Sequence, residues 1–214
     1  MRKSLLLLSI LALVFTACGK GSSDDSPRKS RRMHTTLSPT GQKYDVKSGI
    51  VEYETVAMGI TMKKTLYFDD FGKKECEESF FEGNLNEVNY TDGTDRFTMR
   101  MSDKNKVCWV SKNMGRYGLG AKVDIAGVKS YRGRMEISML PNRSVAGFDC
   151  EGYVSKRRNM ETSMFGYKGV MMYLENTGRM KVKTEAVKAS FDVTIPADKF
   201  QPRAGFTLKE IGQK

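Results

Sequence analysis

From Tyr44 onward, apolar and polar positions alternate with a period of two along most of the chain. Ile50 to Val56 (IVEYETV) and Thr61 to Phe68 (TMKKTLYF) alternate around a Met58-Gly59 turn, and Asp69-Asp70-Phe71-Gly72 reverses the chain again. Lys73 to Phe81 (KKECEESFF) predicts a third strand, Gly83-Asn84 a break, and Glu87 to Tyr90 a fourth strand before Asp92-Gly93. Arg96 to Ser102 and Val107 to Lys112 flank Asp103-Lys104-Asn105, a polar turn of the kind that joins antiparallel strands. The pattern is that of a meander.

The period loosens between Gly115 and Leu140. Val123, Ala126, Val128, Tyr131 and Met135 can share one face of a helix, against the low propensity of Gly127 and Gly133. One helix is expected here, ended by Pro141-Asn142. Strand pattern resumes from Ser144 to Lys156, from Ser163 to Glu175, and from Met180 to Thr194, where Ile195-Pro196 stops it. The remainder, through Phe200, Pro202 and Gly205-Phe206, reads as an irregular arm whose aromatic residues lie back on the sheet. The fold class is mainly β (α+β), a single antiparallel sheet with one or two short helices.

The chain before Tyr44 follows different rules. Arg2 and Lys3 precede an apolar run from Leu5 to Phe15, broken only by Ser9 and closed by Thr16-Ala17-Cys18. A membrane-spanning helix needs about 20 apolar residues, so this run is too short to span comfortably and suits an export signal. Bulky Phe15 argues against ordinary cleavage after Ala17. The segment resembles instead the bacterial lipobox, in which the cysteine after the cut carries the lipid, with Phe15 where leucine is usual. Residues 1–17 are thus expected to be a lipoprotein signal peptide and Cys18 the lipidation site, with plain secretion or an uncleaved anchor as the alternatives. Residues 18–43 are Ser, Pro, Gly and charge, which bury too little to offset ordering entropy, and read as a flexible tether to a domain spanning 44–214. Ser22-Ser23-Asp24-Asp25 resembles the acidic signals of some surface lipoproteins. Gly19 does not resemble the aspartate that retains lipoproteins at the inner membrane, so the outer membrane of a Gram-negative bacterium is the expected location, facing either the periplasm or the cell surface.

Composition narrows the partners. The chain carries a formal charge of +11 over 214 residues. Much of the excess is local to the tether, where Lys20, Arg28, Lys29, Arg31, Arg32 and Lys43 oppose only Asp24 and Asp25, so the folded part has an ordinary charge. Such a segment could meet anionic headgroups, although a solvated linker explains it as well. Bases interleave with aromatics at Tyr153 to Arg158 and at Phe165 to Lys168, yet strands favour aromatics in any case, and no nucleic-acid partner is expected of an exported chain. With Cys18 lipidated, Cys76, Cys108 and Cys150 allow at most one intramolecular disulfide, its pairing open, or serve as reduced core residues.

Several motifs, in order, carry a resemblance across most of 44–211: Ser48-Gly49-Ile50-Val51-Glu52-Tyr53, Thr65-Leu66-Tyr67-Phe68-Asp69-Asp70-Phe71-Gly72, Val145-Ala146-Gly147-Phe148-Asp149-Cys150, Tyr167-Lys168-Gly169-Val170, and Ile195-Pro196-Ala197-Asp198-Lys199-Phe200. The chain resembles a group of exported bacterial lipoproteins whose domain is similar to the Lol-type outer-membrane lipoprotein carriers and receptors. The resemblance implies a curved, half-open β-barrel of about eleven strands, with helices on the concave side, that holds acyl chains. It carries no acyl-binding residue over to this chain.

Candidate chemistry is sparse. The only histidine, His34, lies in the tether, so a Ser or Cys triad, an imidazole acid or base and a histidine metal ligand have no basis in the domain. Asp69 and Asp70 suit hairpin chemistry, and Glu75, Glu77 and Glu78 a solvated strand face. The 14 methionines, Met99, Met101, Met160, Met164, Met171, Met172 and Met180 among them, fit a core or an adaptable apolar groove better than Cu(I), given the absence of a tight Met-x-x-Met array. No catalysis, cofactor or metal is expected. The expected function is an outer-membrane-anchored lipoprotein binding a lipid or acyl chain in its concave face, or a structural lipoprotein that binds another envelope protein and no small molecule.

Overall fold

The computed structural model describes residues 42–131, 135–178 and 180–211. Alternation has become a single twelve-stranded sheet. Its strands are β1 (Gly49–Ala57), β2 (Ile60–Asp69), β3 (Lys74–Phe81), β4 (Asn84–Thr91), β5 (Arg96–Arg100), β6 (Val107–Ser111), β7 (Glu136–Val145), β8 (Phe148–Arg157), β9 (Met160–Tyr167), β10 (Val170–Asn176), β11 (Val182–Phe191) and β12 (Thr207–Glu210). Their order is β12-β6-β5-β4-β3-β2-β1-β11-β10-β9-β8-β7. Every pairing is antiparallel except that of β12 with β6. The sheet is curved and open, the half-open barrel expected.

Two stretches that read as single strands are hairpins. Ala146-Gly147 and Lys168-Gly169 hold positive φ at both residues, the geometry of a type I′ turn, and separate β7 from β8 and β9 from β10. The expected helix is correspondingly short. Among the described residues it is α1 (Ile125–Ser130), its first turn held by the Asp124 side chain accepting from the Gly127 N–H. Pro141-Asn142 does not end this helix, as expected from sequence, but lies within β7. That strand is at the edge of the sheet, and its register shifts between Leu140 and Arg143. An edge bulge tolerates a residue that cannot donate to a ladder.

Because paired residues share a face, the ladders sort the side chains. Leu66, Glu77, Asn89, Thr98 and Trp109 lie in register on one face of β2–β6, and Tyr67, Cys76, Tyr90, Phe97 and Val110 on the other. The apolar core divides accordingly. The larger cluster joins Tyr44, Val51, Tyr53, Leu66 and Phe68 to Val123, Phe165 and Val170 through Tyr173. The smaller is Cys76, Val88, Tyr90, Met99 and Cys108, with Phe200 and Phe206 packed on it. Both clusters are built wholly from residues within 44–206, so this part of the chain contains the apolar interior needed to fold.

Candidate functional site

Two segments cover the sheet, and each is fastened to a glutamate of β3. Glu75 is on the Leu66 face and wholly buried. Its carboxylate accepts from Lys43 Nζ at 2.7 and 2.8 Å, from the Tyr44 hydroxyl at 2.6 Å and from the Leu119 N–H at 2.5 Å. A buried carboxylate that accepts four hydrogen bonds from three donors is satisfied and has no capacity left for substrate. Burial, then the charge of Glu75, holds the Tyr44 hydroxyl well above the ordinary tyrosine range, so it stays a donor. The loop passes so close that a Cβ on Gly118 would strike Lys43 Nζ and Glu75, and one on Gly120 would stand 2.5 Å from the Tyr44 hydroxyl. Past this clasp, Ala121, Val123 and Ile125 pack on the larger core.

Glu78 is 5% exposed and on the opposite face, where Tyr67 and the arm at 197–206 meet it. Lys199 Nζ bonds its carboxylate at 2.7 Å, the Arg203 guanidinium binds the same oxygen, and the Tyr67 hydroxyl donates to the other oxygen at 3.2 Å. Lys199 also lies 4.2 Å from the centre of the Tyr67 ring. The arm lies back on the sheet as expected and then adds β12, which the sequence pattern did not reveal. The reading of Glu75 and Glu78 as a solvated face is overturned, because their cationic partners arrive from segments 32 and 121 residues away. Glu77, on the Glu75 face, is itself mostly covered and pairs with Lys64 at 3.0 Å.

The third feature is inside the curl. The sheet bends until Arg143 of β7 reaches Glu185 of β11 at 3.0 Å, although β8, β9 and β10 stand between them in order. The guanidinium lies 4.1 Å from the Tyr173 ring centre and 5.9 Å from that of Phe165. Tyr173 donates to Glu175 at 2.7 Å, and Lys183 Nζ binds Glu185 at 2.7 Å. The hydrogen bond to Glu185 raises the pKa of Lys183, and burial followed by Glu175 raises that of Tyr173, so both keep their protons. Arg143 and Glu185 remain partly exposed. The result is a partly exposed cluster of alternating charge over aromatic faces. Sequence reasoning missed it because Arg143 and Glu185 are 42 residues apart and neither belongs to a motif.

The residues singled out from sequence disperse. Cys18 lies outside the described residues, as do His34 and residues 1–17. Cys76, Cys108 and Cys150 are free and buried. Cys76 and Cys108 belong to strands with β4 and β5 between them, about 14 Å across, too far for an S–S bond. Burial pushes Cys76 up to about 12 and Cys150 up to about 11, and raises Cys108, so none is a ready nucleophile. Met99, Met171 and Met172 are core, whereas Met160 and Met180 are exposed. Among the described residues, no three His, Cys, Asp or Glu side chains converge as a metal site, and no helix is long and apolar enough to cross a membrane.

No family model matches the chain, and no curated protein matches it significantly. Solved structures do. The MucA/MucB complex of Pseudomonas aeruginosa matches with a TM-score of 0.50 and 9% identity over 72% of this chain and 55% of that one. A crystal structure of MucB matches with a TM-score of 0.51 and 11% identity over 77% and 60%. This chain thus spans less than two thirds of either, and the likeness is one of fold. A lipoprotein-sorting domain from Vibrio parahaemolyticus is also matched, at 10% identity over 75% of this chain and 92% of that domain, but its TM-score of 0.30 supports no inference.

Proposed function

We propose that this chain is a cell-envelope interaction protein, fixed to the outer membrane by lipid on Cys18, that binds another envelope polypeptide in the curl of its sheet and holds no acyl chain there. The observation behind this reading is the Arg143–Tyr173–Glu185 cluster: where a fatty chain would need an apolar lining, the curl presents an ion pair over aromatic rings. Burying that pair against hydrocarbon would cost several kcal/mol, whereas a peptide can meet it with hydrogen bonds. The apolar stretches of the sheet are already occupied by Val123 and Ile125 in one core and by Phe200 and Phe206 in the other. The solved complex of MucB with MucA shows a fold of this kind engaged with a protein. The reading requires no catalysis, in keeping with the protonated, buried thiols and the placement of the sole histidine outside the domain.

A photo-cross-linking residue at Lys183, exposed and on the same face as Glu185, tests the reading in intact cells. One dominant protein adduct is expected, lost in Arg143→Ala. Stoichiometric fatty acid in lipid extracts of the purified protein, without such an adduct, would return the acyl-carrier reading in its place.

A further inference from the structure

Three neighbouring hairpins end together at one end of the sheet. The Met58-Gly59 turn joins β1 to β2, and Ala57 at its base pairs with Val182 at the start of β11. The link from β10 to β11 lies beside the turn from β8 to β9, since the Thr177 N–H donates to the Glu161 carbonyl at 2.9 Å. Residues 43–47 enter at the opposite end, bonded to Phe71 and Lys168.

These tips combine features absent from the rest of the surface chemistry described above. Met58, Met160 and Met180 are 64%, 42% and 44% exposed, one on each tip. Arg157, Arg158 and Lys181 are exposed and form no ion pair among the described residues. The carboxylate on these tips, Glu161, is engaged by Lys156 at 3.4 Å. The adjoining turn of β3 and β4 adds exposed Phe81, with Glu82 as an opposing charge.

We propose that this end of the sheet is a membrane-contacting rim that rests on a bilayer rich in anionic headgroups. The apolar side chains stand one on each of three neighbouring turns at the same end of the sheet. A protein partner takes hold of a contiguous, packed surface. A bilayer accepts isolated side chains at one depth, and uncompensated arginine and lysine beside them match phosphate headgroups. Methionine, unbranched and flexible, enters the headgroup boundary at little steric cost. The inference does not depend on the occupant of the curl.

Vesicle co-sedimentation of residues 19–214, which hold both cores and lack the lipid-bearing cysteine, tests it. Vesicles containing phosphatidylglycerol should bind this protein, and phosphatidylcholine vesicles should bind it about tenfold less or more weakly still. M58S/M160S/M180S and, separately, R157Q/R158Q/K181Q should each lose about tenfold in binding, with near-ultraviolet dichroism confirming that each variant is folded. Failure to bind anionic vesicles, equal binding to both lipids, or a folded methionine variant that binds as wild type would overturn the rim.

Discussion

Glu75 and Glu78 stand three residues apart on β3 and therefore face opposite sides of the sheet, each fastening a different covering segment. Their Cα atoms are about 10 Å apart and they share no partner, so their contributions should add. Glu75→Ala strands Lys43 in a buried site and should cost about 3–5 kcal/mol in urea unfolding. Glu78→Ala, whose partners are partly hydrated, should cost less, about 1–3 kcal/mol. The double variant should fall within about 0.5 kcal/mol of the sum, and a larger departure would show that the two covers are coupled.

The covers should also loosen separately. In Glu78→Gln, amide exchange should accelerate around 197–206 while the Leu119 amide, bonded to Glu75, stays protected. The reverse should hold in Glu75→Gln.

Gly118 has φ of +64°, and a Cβ there would collide with Lys43 and Glu75. Gly118→Ala should therefore cost about 2 kcal/mol or more, since backbone strain adds to the collision. Gly83→Ala, at a similar φ but with open space around it, should cost only the strain, about 1 kcal/mol. Equal losses in the two variants would mean that the loop over Glu75 yields.

Burial lifts the Cys76 thiol from near 9 to about 12, and that of Cys150 to about 11. The unfolded chain releases these protons first. The stability they protect is thus intact below about pH 9 and declines as pH rises from there toward 12. Buried Tyr53 and Tyr90, also raised chiefly by burial, push in the same direction. Urea midpoints should fall steadily between pH 9 and 11, less steeply in Cys76→Ala. Native protein should react with a thiol reagent only as fast as it opens.

Cys18→Ser should move the protein from the membrane fraction to the soluble fraction. Continued attachment would instead identify the run from Leu5 to Phe15 as an uncleaved anchor.

Strands were legible because one buried face imposes alternation, and the turns because Asp, Asn and Gly punctuate it. The failures have physical causes. In Ser163 to Glu175, Lys168-Gly169 forms a turn too short to interrupt an apolar run, so two strands read as one. Pro141 signals an ending in isolation, and only the position of β7 at the sheet edge makes it tolerable. β12 has four residues and pairs in parallel with β6, a partner that local pattern cannot nominate. Charged residues were the least legible. Glu75, Glu78, Arg143 and Glu185 resemble any surface residue until distant segments bring counterions to them.

The sheet's middle seam has a consequence for how the chain is made. β1, the first strand of the domain, closes against β11, which lies in the last fifth of the chain, and 129 residues separate the bonded Thr55 and Thr184 side chains. Hairpins on either side can form as soon as they emerge, but the two halves cannot be sutured until β11 arrives. High contact order of this kind slows folding and keeps a nascent chain open. The seam therefore makes the last long strand of the sheet the one that commits the two halves to each other.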